Sequence, residues 1–267
     1  MSTTAIFGAG VMGEALLAGL LRGRWSSADL VVAEKRPGRA EELRSKYGVR
    51  VLVNVDAARV ASTLVLVVKP QDMAALVTEI SLEIDPDSLV VSLAAGITTA
   101  FLEEHLPDGV AVVRVMPNTP ALVDEGMAAI SPGLHCDEAH LERARELLTA
   151  VGKVVQVPES QQDAVTAISG SGPAYIFYIV EAMVEAGVLL GLPRVTATEL
   201  VVQTVYGSAT MLRETGSHPT VLRENVTSPA GTTAAALRTL DDHKVRAAFL
   251  SAIEAARDRS QEIASDS

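Results

Sequence analysis

The sequence predicts an α/β N-terminal domain built on a mostly parallel sheet, followed by an all-α C-terminal domain. Three observations lead there. Short β-branched runs alternate with helical stretches as far as about residue 157. A glycine-rich turn joins the first of these runs to the first helical stretch. After Pro158 the strand-like runs stop and only helical patterns follow. Strand and helix in alternation make βαβ units, and short, wholly apolar runs suit strands buried on both faces.

The candidate strands are Ala5–Phe7, Leu30–Glu34, Val51–Val53, Leu64–Val68, Leu89–Leu93, Val110–Val115, Met127–Ile130 and Val154–Val157. Helical patterns fall at Val11–Arg22, Arg39–Tyr47, Gln71–Leu82 and Glu138–Val151. Beyond Pro158, Gln161–Leu192 reads as one long helical region interrupted by Gly170, Gly172 and Pro173. Thr196–Thr215 reads as a second helix, Ala235–Leu240 as part of a third and Lys244–Ile263 as a fourth. The predicted domains are residues 1–158 and 159–267. Val201, Val205, Ala209 and Leu212 form an apolar stripe in the second, and such a stripe needs a partner surface.

Composition narrows the function classes. The 267 residues hold 22 Lys and Arg against 33 Asp and Glu, a net charge of −11 that disfavours nucleic acid or an anionic membrane as the main partner. A single cysteine, Cys136, excludes an internal disulfide framework and a Cys-rich zinc site, and points to a reducing compartment, the cytoplasm. The start lacks the basic flank and apolar core of a secretory segment. No uninterrupted apolar run approaches the ~20 residues of a membrane span. Aromatic residues are only 3%, so helices must pack closely on alanine and valine.

Gly8-Ala9-Gly10-Val11-Met12-Gly13 follows a strand pattern and opens a helix pattern, the context of a Rossmann-type dinucleotide fingerprint. The first glycine makes the turn, the second admits a pyrophosphate and the third lets helix and strand approach. The second strand should end beside the adenosine ribose, where Glu34 stands. A carboxylate there favours NAD(H). Lys35 and Arg36, with Arg39 a turn later, favour the 2′-phosphate of NADP(H). The two signals conflict, and a solvated strand end would account for all four charges.

Three further stretches fall at strand ends, where open α/β sheets place ligands. They are Val68-Lys69-Pro70-Gln71, Ser92-Leu93-Ala94-Ala95-Gly96 and Arg114-Val115-Met116-Pro117-Asn118-Thr119-Pro120. Lys69 closes an apolar run, a costly place for a charge that meets no ligand. Ala94-Ala95-Gly96 offers no side chain to block a flat ring, and Asn118 sits in a loop stiffened by two prolines. In the helical half, Ser169-Gly170-Ser171-Gly172-Pro173-Ala174-Tyr175 interrupts a good helix. Ser228-Pro229-Ala230-Gly231-Thr232-Thr233 precedes an alanine-rich helix, where hydroxyls and free N–H groups suit either a small carboxylate or ordinary capping.

Taken in order, GAGVMG, VVKPQ, SLAAGI, RVMPNTP, DAVTAISGSGPAY, GLP and NVTSPAGTTAAAL resemble the Δ1-pyrroline-5-carboxylate reductase family along nearly the whole chain. The resemblance implies a Rossmann domain followed by a helical dimerisation domain, and reduction of the cyclic imine to L-proline with NAD(P)H; the cations Lys35, Arg36 and Arg39 slightly favour NADP(H). It places Gly8, Gly10, Val11, Met12 and Gly13 on the pyrophosphate, and Glu34, Lys35 and Arg36 at the adenosine. Val68, Lys69 and Pro70 fall along the coenzyme. Ala94, Ala95, Gly96, Met116, Pro117 and Asn118 fall near the nicotinamide. Ser228, Gly231, Thr232 and Thr233 would bind the substrate carboxylate, with the Thr233 hydroxyl near the ring nitrogen as the catalytic candidate. Homodimers, and larger rings of dimers, are implied as well. One departure is Ala230, where the family often has a second glycine.

Competing readings fit less well. Related β-hydroxyacid dehydrogenases use a lysine from the long helix, yet there is no lysine between Lys153 and Lys244. Ketol-acid reductoisomerases need a carboxylate-lined Mg²⁺ site, whereas Glu181 and Glu185 read as a solvated helix face. A nucleotide sensor without catalysis would have no use for SPAGTT. His135-Cys136-Asp137-Glu138 with His140 reads as a loop entering a helix, not as a metal site.

Overall fold

The computed structural model describes residues 3–265. An eight-stranded sheet has the order β3-β2-β1-β4-β5-β6-β7-β8. Its strands are β1 (Thr4–Phe7), β2 (Leu30–Ala33), β3 (Arg50–Leu52), β4 (Thr63–Leu66), β5 (Leu89–Ser92), β6 (Ala111–Met116), β7 (Gly126–Pro132) and β8 (Gly152–Gln156). All neighbours run parallel except β6 and β7, which pair antiparallel with Val115 opposite Ile130. Chain order reverses between β1 and β4, where Ile6 lies opposite both Val32 and Val65.

Helices cover both faces: α1 (Val11–Arg22), α2 (Pro37–Tyr47), α3 (Asn54–Val60), α4 (Pro70–Ile80), α5 (Thr99–His105) and α6 (Glu138–Thr149). Side chains alternate across each strand, so β1 sends Ile6 to a cluster with Leu16, Leu20 and Leu147, and Phe7 to a second with Met73, Val77 and Leu102. Local chemistry sets the helix ends. Pro37 and Pro70 stand in first turns, Gly48 closes α2 at φ +67°, and Asp137 with His140 forms a reciprocal capping box on α6. His140 therefore serves its helix, as a loop-to-helix reading expects.

Two compact units emerge, and their limits differ from a division after residue 158. The first is Met1–Ser171 together with Ala256–Ser267, and the second is Gly172–Ala255. The polar anchors of residues 159–163 explain the shift. Glu159 Oε1 accepts from the Thr99 N–H at 2.8 Å and from Arg114 Nη1 at 3.1 Å. Buried Gln162 donates to Ala129 O at 3.2 Å and to Ser131 Oγ at 2.8 Å. These bonds hold α7 (Gln162–Val165) and the π turn Thr166–Gly170 to the sheet unit. Ser260 Oγ donates to Asp163 Oδ1 at 2.7 Å, and Ile263 lies over Gly96, so the last turns of α12 (Val245–Ser265) belong there too.

The second unit holds α8 (Gly172–Leu189), α9 (Arg194–Thr215), α10 (Pro219–Asn225), α11 (Thr232–Asp242) and the first part of α12. Val184, Ala197 and Val201 are its buried apolar cluster. The apolar stripe of α9 accordingly divides. Val201 and Val205 pack into this cluster, while Leu212 stays exposed beside Leu200, Val202, Tyr206 and Met211. By length and composition, Glu159–Leu189 is long and apolar enough to cross a membrane, with a mean hydropathy of 1.3. A search for unbroken apolar runs misses it because polar and glycine residues interrupt the stretch.

Candidate functional site

The glycine turn lies at the C-terminal end of β1, beside the reversal of strand order, where open parallel sheets bind ligands. Its three glycines do different things. Gly8 has φ +100°, and a Cβ there would lie 2.9 Å from Val67 O. A Cβ on Gly13 would come within 2.1 Å of Gly8 O. At Gly10 a Cβ would meet nothing within 4 Å, and φ is an ordinary −74°. The protein itself does not require glycine at that position, so the bare backbone serves whatever approaches from outside. No side chain caps α1, which leaves its first N–H groups for an anion, and Val11 stands exposed beside them.

A cleft of about 760 Å³ opens there, lined among others by Gly8, Gly10, Glu34, Lys35, Arg36, Val68 and Lys69. Its charges are paired unevenly. Arg36 folds back on Glu34, giving Nε to Oε1 at 3.0 Å and Nη2 to Oε2 at 2.9 Å. Glu34 is 7% exposed and Arg36 71%, so the cation forms the surface of the pair. Hydrogen bonds from Arg36 hold the Glu34 carboxyl below its usual range, with burial opposing them. Lys35 pairs with Glu79 at 2.9 Å. Lys69 is exposed, because β4 ends at Leu66; it is not the buried charge that the sequence run suggests, and it has no partner among the described residues.

Arg39 turns away from the cleft. It bridges Glu14 and Glu42 and donates to Ala9 O at 3.3 Å. Lys46 Nζ at 2.8 Å and Tyr47 Oη at 2.7 Å complete the shell around Glu14. Hydrogen bonds from Lys46, Arg39 and Tyr47 hold its carboxyl at about 2. Arg39 thus fastens α2 to the glycine turn. Sequence adjacency to Lys35 and Arg36 concealed this, since it carries no side-chain direction.

Further along the sheet, Met12, Leu93, Pro117 and Asn118 share a small hollow. Met116 and Pro117 are half-buried, as is Pro70 in the first turn of α4. Of the three small residues after β5, only Ala95 is open. Ala94 is buried, and Gly96, at φ +79°, lies under Ile263. The cleft also includes Asn54 and Glu79, which sequence reading missed. Asn54 Nδ2 donates to Glu79 Oε2 at 2.9 Å. Its signal was position, immediately after the third strand of a dinucleotide fold.

In the second unit, a turn leads into α11. Gly231 N–H donates to Ser228 O at 3.0 Å, and a Cβ on Gly231 would lie 2.5 Å from Ser228 Oγ. Ala230 sits at φ +58°, a conformation natural to glycine, so the alanine is strained there. Ser228 and Thr232 are exposed and Thr233 half-buried. Thr198, Thr204, Thr210, Thr215 and Thr239 each donate their hydroxyl to the carbonyl four residues back. Among the described residues, Ser228, Thr232 and Thr233 have no side-chain hydrogen bond, and α11 has no side-chain cap. Free hydroxyls beside open helical N–H groups have the chemistry to accept an anion.

Comparison with known proteins agrees with both halves. A family model described as pyrroline-5-carboxylate reductase dimerisation matches residues 159–263, and one described as NADP oxidoreductase, coenzyme F420-dependent, matches residues 3–96. The chain is 46% identical to a pyrroline-5-carboxylate reductase of Corynebacterium melassecola, over 98% of this chain and 99% of that protein. The solved pyrroline-5-carboxylate reductase of Coxiella burnetii is similar at TM-score 0.93 and 36% identity, over 98% of each chain. The pyrroline carboxylate reductase of Plasmodium falciparum, solved with NADP bound, is similar at TM-score 0.87 and 28% identity, over 98% of each chain.

Proposed function

The chain belongs to the pyrroline-5-carboxylate reductase family, and from that premise we propose how its residues reduce Δ1-pyrroline-5-carboxylate to L-proline, the last step of proline biosynthesis. The coenzyme, when bound, supplies the hydride. Gly10 and the open N-terminus of α1 take the pyrophosphate, for which the bare backbone at Gly10 leaves room. Glu34, Lys35 and Arg36 meet the adenosine ribose. With Glu34 sheathed by Arg36 and Lys69 unpaired, NADPH is slightly favoured and NADH is also used. Val68 and Pro70 border the coenzyme, and Ala95 with Met116–Asn118 lies at the nicotinamide.

Ser228, Gly231, Thr232 and Thr233 receive the substrate carboxylate, and Thr233 holds the ring nitrogen. In its protonated iminium form the imine carbon is already electrophilic, so the protein needs no strong acid. Orientation and exclusion of water suffice. The observation that carries this reading is the set of unpaired hydroxyls of Ser228, Thr232 and Thr233 beside the uncapped N-terminus of α11, whereas Thr239 further along the same helix bonds the Ala235 carbonyl. Residues 159–267 act as the substrate-binding and dimerisation domain. The apolar face of Glu159–Leu189 is covered by a second copy, not by a membrane, and dimers can join into a ring. The half-buried lone cysteine suits the cytoplasm.

Purified protein should oxidise NADPH only when the cyclic imine is added, whereas binding without turnover would indicate a sensor. Thr233→Val should raise the imine KM about ten- to a hundredfold and leave the coenzyme KM nearly unchanged, because a hydrogen bond to a charged group is worth about 1.5–3 kcal/mol. Unchanged imine kinetics would reduce Thr233 to a capping residue.

A further inference from the structure

We infer that Asn118 does not bind the coenzyme through its side chain. It is a positioning residue that seats the Met116–Asn118 loop on the Ser169–Gly170 turn. The inference rests on the proposed place of that loop at the nicotinamide. It also gives a role to the glycine-interrupted stretch 169–173, to which the reaction assigns none.

Every polar atom of the Asn118 amide is already engaged within the sheet unit. Its Oδ1 accepts from the Met127 N–H at 2.8 Å, tying the loop to the start of β7. Its Nδ2 donates to Ser169 O at 3.2 Å and to Ser169 Oγ at 3.3 Å. The reason for the second bond lies in the sequence. A helical carbonyl is normally met by the N–H four residues on, and four residues after Ser169 stands Pro173, which has no N–H. Proline thus leaves the Ser169 carbonyl without its helical donor, and Asn118 supplies one. The π turn Thr166–Gly170 widens the helix at this point, closed by Ser171 N–H to Thr166 O at 2.8 Å.

The next residue completes the seat. A Cβ on Gly170 would lie 2.4 Å from Met116 Cε, so the end of the Met116 side chain occupies the space that glycine leaves bare. Asn118 fixes the loop by hydrogen bonds, and Gly170 fixes the depth at which Met116 rests. A nicotinamide held against this loop would have its ring plane set by protein groups that never touch it.

Asn118→Asp tests this directly, since it keeps the acceptor for Met127 and loses the donor to Ser169. Coenzyme Kd, read from NADPH fluorescence, should stay within about twofold, while kcat falls at least about tenfold through misplacement of the reacting ring. The isotope effect on kcat with 4-deuterated NADPH should rise as hydride transfer becomes limiting. Gly170→Ala, which displaces only Met116, should shift kcat and the isotope effect in the same direction with the thermal midpoint nearly unchanged. A loss of coenzyme affinity matching the loss of kcat/KM would make Asn118 a ligand and overturn the inference. Unchanged kcat and isotope effect in folded Asn118→Asp and Gly170→Ala would overturn it too. Failure of the unaltered protein to reduce the imine would instead strike the proposed function, and is read in a separate assay.

Discussion

The two units solve the problem of burying apolar surface in opposite ways. The sheet unit sandwiches β1–β6 between two extended apolar clusters. The helical unit is as apolar in sequence, yet its buried cluster is Val184, Ala197 and Val201, while Phe177, Tyr178, Leu189, Leu190 and Val195 are exposed. Hydrophobic content therefore does not tell whether a region completes its own core. The small residues of α8 and α9 do tell: a Cβ on Gly187 would lie 2.9 Å from Ala197 Cβ, so these helices touch closely and bury little between them. Such a pair needs its outer face covered, and that face is where the proposed dimer interface lies.

Breaking the outer face should have the largest effect. Leu200→Asp combined with Tyr206→Asp should give monomers by light scattering and abolish imine reduction. Leu82→Asp, at a side chain 95% exposed on the sheet unit, should change stability by no more than about 0.5 kcal/mol in urea unfolding. If both variants behaved alike, the contrast between the units would be wrong.

Within the sheet unit, a pair of glycine substitutions separates folding from binding. Gly13→Ala should cost several kcal/mol, on the order of the 1–3 kcal/mol of an overpacked core site or more, because the new methyl meets backbone. Gly10→Ala should keep the unfolding midpoint and weaken NADPH binding at least about tenfold, a loss of about 1.4 kcal/mol. Calorimetry and fluorescence titration distinguish the two.

The Glu14 clamp makes a smaller contribution that depends on pH. The folded carboxyl titrates at about 2 and the unfolded one at about 4.5. A depressed folded value means the stabilisation is complete above the unfolded value and is lost as pH falls toward the folded one. The gap between the parent and Glu14→Gln, at most about 3 kcal/mol at pH 7, should therefore shrink from pH 4.5 down to about 2. A gap independent of acid would mean that the pairing with Arg39, Lys46 and Tyr47 stabilises nothing. The smallest effect belongs to Ala230→Gly. Relief of φ +58° should outweigh the added freedom of the unfolded chain by about 0.5 kcal/mol.

These contrasts also mark what could be read from sequence. All eight strands were legible as short β-branched runs, most plainly the buried parallel ones β1, β2, β4 and β5, and α1 was legible to both ends. The helices α3, α5 and α10 escaped notice: each is seven residues long, about two turns, too short for a period of 3.6 to establish itself. The antiparallel β6–β7 pairing follows a turn through Thr119–Val123 that no simple spacing announces. Side-chain direction was the larger loss. Arg36 and Arg39 look equivalent in sequence, yet one covers Glu34 at the cleft and the other anchors the glycine turn from behind. Asn118 was found as a residue of interest, but Ser169, the residue its Nδ2 meets, lies on a turn 51 positions away.

The final turns of α12 rest on the loop after β5, with Ile263 over Gly96 and Ser260 bonded to Asp163. In order of synthesis, the sheet unit's first 171 residues leave the ribosome well before this helix does. Its strands can pair at once, but the wall beside Ala95 stays open until Gly172–Ala255 has been made as well. The nascent chain thus finishes its first-made unit last, and a chain interrupted within the helical unit carries a sheet whose loop after β5 has nothing to lie beneath.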